Sequence, residues 1–373
     1  MPKFNPKNER VKHRYLSFLA EARQLSVATV DQIAAAIADF EESTGYRDFR
    51  LFRPEQAQSF KRRLAKADNP VSKRPLAIAT INSRLAALKA FVQWLSQQPG
   101  FRRLNFSDAE YFNLSGNDER IAKTVRERPA PTIEQIRHVL QAMPSSTGLE
   151  RRDRALIAFT LLSGARDDAI ASLSLKHLDI EEGRVNQDAR EVRTKNAKTM
   201  TTWFFPVGDD IEAIVSDWVH FLRTEMLWGS DDPLFPASKI TVGDSGHFEN
   251  CGLDRKHWRS AAAIRDIFRK AFTQAGLQYF NPHSFRKTLA LLGLRRCHHD
   301  LEALKVWSQN FGHAQMLTTL CSYGNVPQER QAEILKRQRT GAVGETAGGY
   351  AEPDAGTIQT VLAHLAKTIS HTA

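Results

Sequence analysis

Residues 161–180 read LLSGARDDAIASLSLKHLDI. The apolar run from Leu156 to Leu162 has the length and density of a buried helix, and Gly164 is the natural residue to end it, because a helix C-terminus commonly closes in the left-handed region that glycine enters freely. Arg166 follows two residues later. A guanidinium delivered just past the end of a core helix is held by a rigid element, which suits recognition of an anion. Read alone, it equally suits a helix cap or an ion pair with Asp167 or Asp168.

Three more clusters lie further along. Lys195-Asn196-Ala197-Lys198 is a polar tip between two stretches of β character, 190–194 and 201–207. Residues 281–293 read NPHSFRKTLALLG: Asn281-Pro282 is a helix start, and His283 and Arg286 then share one face of that helix. Its N-terminus itself favours phosphate. The string WSQNFGHAQMLTTLCSYGNV carries Gly312-His313 and, ten residues on, Tyr323. Each cluster has an ordinary reading as cap, turn or solvated tip, and the four together have one chemical reading. Transfer of a phosphoryl group places extra charge on the non-bridging oxygens, which Arg166 and Arg286 can hold. A tyrosine with an ordinary pKa of about 10 is only about one-thousandth ionised at pH 7, so His283 or His313 would assist its deprotonation. A leaving 5′ oxygen needs a proton, which a lysine at a hairpin tip can supply. A phosphotyrosine retains the bond energy, so rejoining needs neither ATP nor a metal.

The bulk properties agree. Fifty-two Lys and Arg stand against 42 Asp and Glu in 373 residues, a net charge of +10, which points to a polyanionic partner. No apolar run reaches the roughly 20 residues of a membrane span, and the N-terminus lacks the apolar core of a signal peptide. Cys251, Cys297 and Cys321 are too scattered for a disulfide framework. The expectation is a cytoplasmic, nucleoid-associated protein. His247, Cys251, Asp254 and His257 match no standard zinc spacing, and Tyr350 lies in a Gly-rich stretch without basic neighbours, so neither a metal site nor a second nucleophile is expected.

Before the catalytic clusters, residues 10–105 read as about four helices. Val30, Ile33, Ala34, Ile37 and Phe40 follow amphipathic spacing, as do Ile81, Leu85, Leu88, Phe91, Val92 and Leu95. Residues 106–131, ending in Arg-Pro-Ala-Pro, read as a linker. Thr132 and Gln135 form a capping box that opens the second domain, 132–340. Helices are expected at 209–227, 260–275, 284–297 and 314–322, with 228–258 a surface loop. Residues 340–356 are Gly- and Ala-rich, and a last amphipathic helix carries Ile358, Val361, Leu362, Leu365 and Ile369.

The ordered set Gly-Ala-Arg, hairpin Lys, His-x-x-Arg, Gly-His and Tyr resembles the tyrosine recombinases, also called phage integrases. The resemblance covers about 132–330 and, more loosely, the helical N-terminal part. It implies a mainly α fold with a small β-sheet: a helical core-binding domain and an α+β catalytic domain that clamp double-stranded DNA. It implies that Arg166 and Arg286 bind the scissile phosphate, His283 takes part in proton transfer, His313 supports the phosphate or nucleophile, and Tyr323 attacks and stays linked to the 3′ phosphate. For the lysine it favours Lys195, with Lys198 the rival. It implies a homo-tetramer on two DNA sites, with room for an accessory factor, and a C-terminal helix that docks on a neighbour or on its own domain. The sequence departs from the family where an acidic residue usually stands three after the first arginine: that position is Ala169, with Asp167 and Asp168 nearby. Two other functions share these residues: monomeric supercoil relaxation in the manner of type IB topoisomerases, and DNA binding without cleavage.

Overall fold

The computed structural model describes residues 4–69, 73–123, 129–242, 248–297 and 300–313. Tyr323, Tyr350, His247, the expected helix at 314–322 and the C-terminal amphipathic helix lie outside the described residues. The chain divides into two compact units, with the boundary between residues 126 and 127.

The first unit is built on α1 (Pro6–Ser17), α2 (Val27–Ser43), α3 (Pro54–Ala65) and α4 (Ile78–Ser96). Local chemistry sets their starts. Asn5 and Ser26 accept backbone N–H groups at the heads of α1 and α2, and Pro54 occupies the first turn of α3, where its missing N–H costs nothing. Their apolar faces meet around Phe40, which packs edge-on against Phe60 at 5.3 Å and Phe112 at 5.5 Å. Phe112 corrects the expected linker. It closes a 3₁₀ segment, Phe106–Phe112, and with Ala109 it is fully buried in this core, and α5 (Gly116–Lys123) follows. The segment reads as a linker because its core side chains Ala109, Phe112 and Leu114 are too few to show a period. One charged group is buried here: Glu41 accepts from Asn8 Nδ2 at 2.8 Å and pairs with Lys12 Nζ at 2.5 Å, while Asn8 also holds the backbone of Arg47 and Phe49.

The second unit is organised by α7 (Gly148–Ser163), whose residues from Ala155 to Ser163 are all buried. It is preceded by α6 (Ile133–Ala142), which opens with the reciprocal Thr132–Gln135 capping box, and followed by the short α8 (Asp167–Ile170). A three-stranded antiparallel sheet of order β1-β2-β3 comes next: β1 (Leu178–Asp179), β2 (Arg184–Gln187) and β3 (Met200–Trp203). The expected first strand at 190–194 is displaced. β2, not that segment, pairs with β3, with Gln187 opposite Met200. Val192 is pulled into the core and turns the chain before Lys195.

The unit continues with α9 (Asp209–His220), extended by a π-turn to Glu225, then β4 (Ala237–Val242), β5 (Phe248–Asp254), α10 (Ala262–Gln274), α11 (Ser284–Arg296) and α12 (Leu301–Asn310). The region 228–258 is therefore not a plain surface loop. Trp228, Leu234, Phe235 and Trp258 are buried in the core, and 237–254 contains an antiparallel ribbon. The ribbon was invisible because all of Lys239 to Val242 is exposed, leaving no alternation to read. Among the described residues, no helix is long and apolar enough to cross a membrane, and no group of three or more His, Cys, Asp or Glu is arranged to hold a metal. His257 instead bonds Ser174 Oγ at 3.2 Å.

Candidate active site

Arg286 sits one turn into α11, where Asn281 Oδ1 receives the N–H of Ser284 and starts the helix. Its guanidinium is buried, with 3% exposed. It donates to the Gly164 carbonyl at 2.5 Å and to the Phe311 carbonyl at 2.7 Å, lies 4.8 Å over the Phe311 ring, and approaches His313 Nε2 at 3.3 Å. One side chain thus joins the end of α7, the interior of α11 and the turn after α12. Gly164 is required at this junction. Its φ is +58°, and a Cβ there would meet Phe205, Leu289 and Phe311 at 3.1–3.2 Å.

Arg166 stands at the head of α8, half-exposed. Ala169, at the position where the family usually has an acid, is buried in the core. Asp167 is committed elsewhere: its Oδ2 accepts from Arg265 Nε of α10 at 2.8 Å. That pair fixes the first residue of α8 and so the backbone that carries Arg166.

The lysines occupy a short turn, Lys195–Ala197, in which Asn196 (φ +61°) and Ala197 (φ +48°) are left-handed. The approach to it is anchored by Arg193, whose N–H donates to Ser172 Oγ and whose guanidinium donates to the Trp258 carbonyl, both at 2.9 Å. Lys195 is exposed. Lys198 is tethered, donating to the Gly312 carbonyl at 2.8 Å.

The two histidines register how closely these cations gather. His283 is solvent-accessible at the start of α11, yet its pKa is lowered, by partial burial first and then by Arg286 and Arg166, with Lys195 adding to them and Asp167 opposing. His313 is half-buried and is held down at about 4, by burial first and then by Arg286, Arg166, Lys198 and His283. Both shifts favour the neutral imidazole. Five of the six expected site residues, Arg166, Lys195, His283, Arg286 and His313, act on one another in this one place, and Lys198 joins them. A patch with this much positive charge attracts anions.

Such a patch suits a protein that handles an anionic group such as phosphate. Residues 132–329 match the model of the phage integrase family, and residues 13–99 match the N-terminal SAM-like domain of phage integrases. The chain belongs to the phage integrase family and is a tyrosine recombinase, an enzyme of DNA strand transfer. It is 24% identical over 314 residues to the tyrosine recombinase XerC of Escherichia coli O157:H7, covering 82% of this chain and 88% of that protein. Its fold is similar to that of the XerH site-specific recombinase bound to a palindromic difH substrate, with TM-score 0.59 and 16% identity over 88% of this chain and 85% of that one. It is also similar to a lambda integrase fragment bound to a COC′ core site, with TM-score 0.53 and 14% identity over 84% of this chain and 94% of that one.

Three supporting residues escaped the sequence reading. Arg265, which holds Asp167, and Asn310, whose side chain bonds the Trp203 main chain, sit on helices far in sequence from those partners, and no local pattern marks them. The carbonyl of Gly164 escaped because the glycine was read only as a cap.

Proposed function

We propose that Tyr323 is the nucleophile that this site serves. Its hydroxyl oxygen attacks the scissile phosphorus and the P–O5′ bond breaks. Tyr323 is left esterified to the 3′ phosphate, with a free 5′ hydroxyl on the other side. Attack by a 5′ hydroxyl from the partner strand reverses the step and restores a phosphodiester. Arg166 and Arg286 hold the non-bridging oxygens. His283 takes the tyrosine proton, for which a neutral imidazole is the required form, and His313 orients the phosphate with Arg286. Lys195 protonates the departing 5′ oxygen. Both lysines are exposed, and Lys195 is preferred because Lys198 is committed to the Gly312 carbonyl.

The observation that carries this reading is the convergence of Arg166, Arg286, Lys195 and Lys198 on the pair His283 and His313. The cationic balance of the chain supports double-stranded DNA as substrate, as do the DNA complexes named for XerH and lambda integrase. We further infer that four protomers assemble on two sites in the cytoplasm.

The test is covalent trapping. The protein is incubated, without metal, with nicked duplexes tiled across the DNA flanking its own gene, and denaturing gels are read for a protein–DNA adduct. The expected adduct vanishes in Tyr323→Phe and persists in Tyr350→Phe. Tight binding to a duplex from that set with no adduct on any of them would overturn the reading in favour of a DNA binder that does not cut.

A further inference from the structure

Asn310 ends α12 three residues before His313, and its side chain faces the outer edge of β3. Asn310 Oδ1 accepts the Trp203 N–H at 2.7 Å, and Asn310 Nδ2 donates to the Trp203 carbonyl at 2.8 Å. β3 is an edge strand, so these outward groups would otherwise go to water or to a foreign strand. The amide fills the place of a fourth strand for one residue. The backbone carbonyl of Asn310 adds a longer bond, 3.4 Å, from Thr202 Oγ1.

The other end of β3 meets the same turn. Lys198, two residues before the strand begins, donates to the Gly312 carbonyl, and Met200 lies so close to Gly312 (φ +75°) that a Cβ there would fall 2.6 Å from its sulfur. The turn is itself folded back on the helix by Gly312 N–H to Gln309 O at 2.7 Å and His313 N–H to Ser308 O at 3.3 Å. Residues 310–313 and 198–203 are thus joined at both ends.

From this geometry we propose that Asn310 is a positioning residue, which clamps the His313-bearing turn to the strand that follows the lysine turn and so holds the two halves of the active site in register. The role rests on reading His313 and the lysine turn as parts of that site. An asparagine suits it because its amide offers a donor and an acceptor on one short arm, matching the N–H and C=O of a single residue. An aspartate at this position would keep the acceptor but set a carboxylate against the Trp203 carbonyl, and an alanine would remove both bonds.

The experiment uses the full chain labelled at histidine 13Cε1, with the His313 resonance assigned by its loss in His313→Gln. His313 is surrounded by Arg286, Arg166, Lys198 and His283, so its titration reports its seat. In Asn310→Ala the clamp opens, water reaches the ring, and the midpoint moves up from about 4 toward the ordinary imidazole value by about one unit or more. Asn310→Asp behaves similarly. Trp203→Phe leaves the titration unchanged, because the clamp grips main chain only. The melting temperature of each variant is read alongside. An unchanged His313 midpoint in Asn310→Ala, with or without a lower melting temperature, overturns the proposal and leaves Asn310 an ordinary contact. The measurement needs no DNA and no cleavage, so it decides the clamp separately from adduct trapping, which decides the roles of His313 and the lysines.

Discussion

Among the described residues, two of the regions that bury charge treat it in opposite ways. In the N-terminal unit, Glu41 is matched by Lys12, which also pairs with Glu9, and is capped by Asn8, so each member has its partner within the fold. In the catalytic unit, Arg286 is buried on backbone carbonyls and a ring face, beside Arg166 and the lysine turn, and Asp167 is drawn away by Arg265. The first arrangement is complete as folded. The second gathers more positive than negative charge, and a phosphate would balance it. Crowding cations together is costly, so a protein keeps such a site where the balancing ion is the substrate.

Substitutions should separate the two regions, and Arg286→Ala should have the largest effect. It leaves two carbonyls without their donor and a void beside Phe311, costing on the order of 4 kcal/mol in denaturant unfolding as well as adduct formation. A variant of wild-type stability would break the view that Arg286 also holds the fold. Arg166→Ala comes next: the trapping rate falls about 10²–10³-fold while stability stays within about 0.5 kcal/mol. Glu41→Ala inverts that pattern. It takes from Lys12 one of its two carboxylate partners and from Asn8 a buried acceptor, and costs about 2 kcal/mol, with the trapping rate per folded molecule unchanged. Equal damage to cleavage would show that the N-terminal cluster is not purely structural. Asp167→Asn, which loosens the head of α8 from Arg265, should slow cleavage about tenfold.

The smallest effect is on pH dependence. His313 titrates at about 4 in the folded chain and near 6.5 when unfolded, so the unfolded state takes up the proton first. The stability this residue contributes is present above about pH 6.5 and is lost as pH falls toward about 4. Because the ring is only half-buried, solvent screening limits the loss to about 1 kcal/mol. Unfolding midpoints at pH 7.5 and 5 should differ accordingly, and His313→Gln should remove that part of the difference.

Much of this was legible in the sequence. The capping box at Thr132, the stop at Gly164, the Asn-Pro start before His283 and the apolar spacing of α2 and α4 all act within one or a few helix turns, and local rules reach that far. The identity of the cationic set was legible because the chemistry requires residue types in an order. What escaped was held by tertiary contacts: Phe112 packing on Phe40, β2 rather than 190–194 pairing with β3, Leu234 and Phe235 entering the core, and Asn310 reaching Trp203 from 107 residues away. Lys195 and Lys198 look alike in sequence, and only the Gly312 carbonyl separates them.

Arg286 is received by main-chain oxygens at both Gly164 and Phe311. Every amino acid brings a carbonyl, so drift in side-chain identity at the receiving positions cannot by itself withdraw the hydrogen bonds. The two seats nevertheless differ in how freely they can drift. Position 311 is constrained by volume alone and accepts another large apolar ring, whereas position 164 is locked by its left-handed backbone and the three side chains crowded around it. In a lineage of such enzymes, pairwise covariation with position 286 would then be faint even though the contacts are among its strongest, and a search for partners by correlated change would pass over the junction on which the site is built.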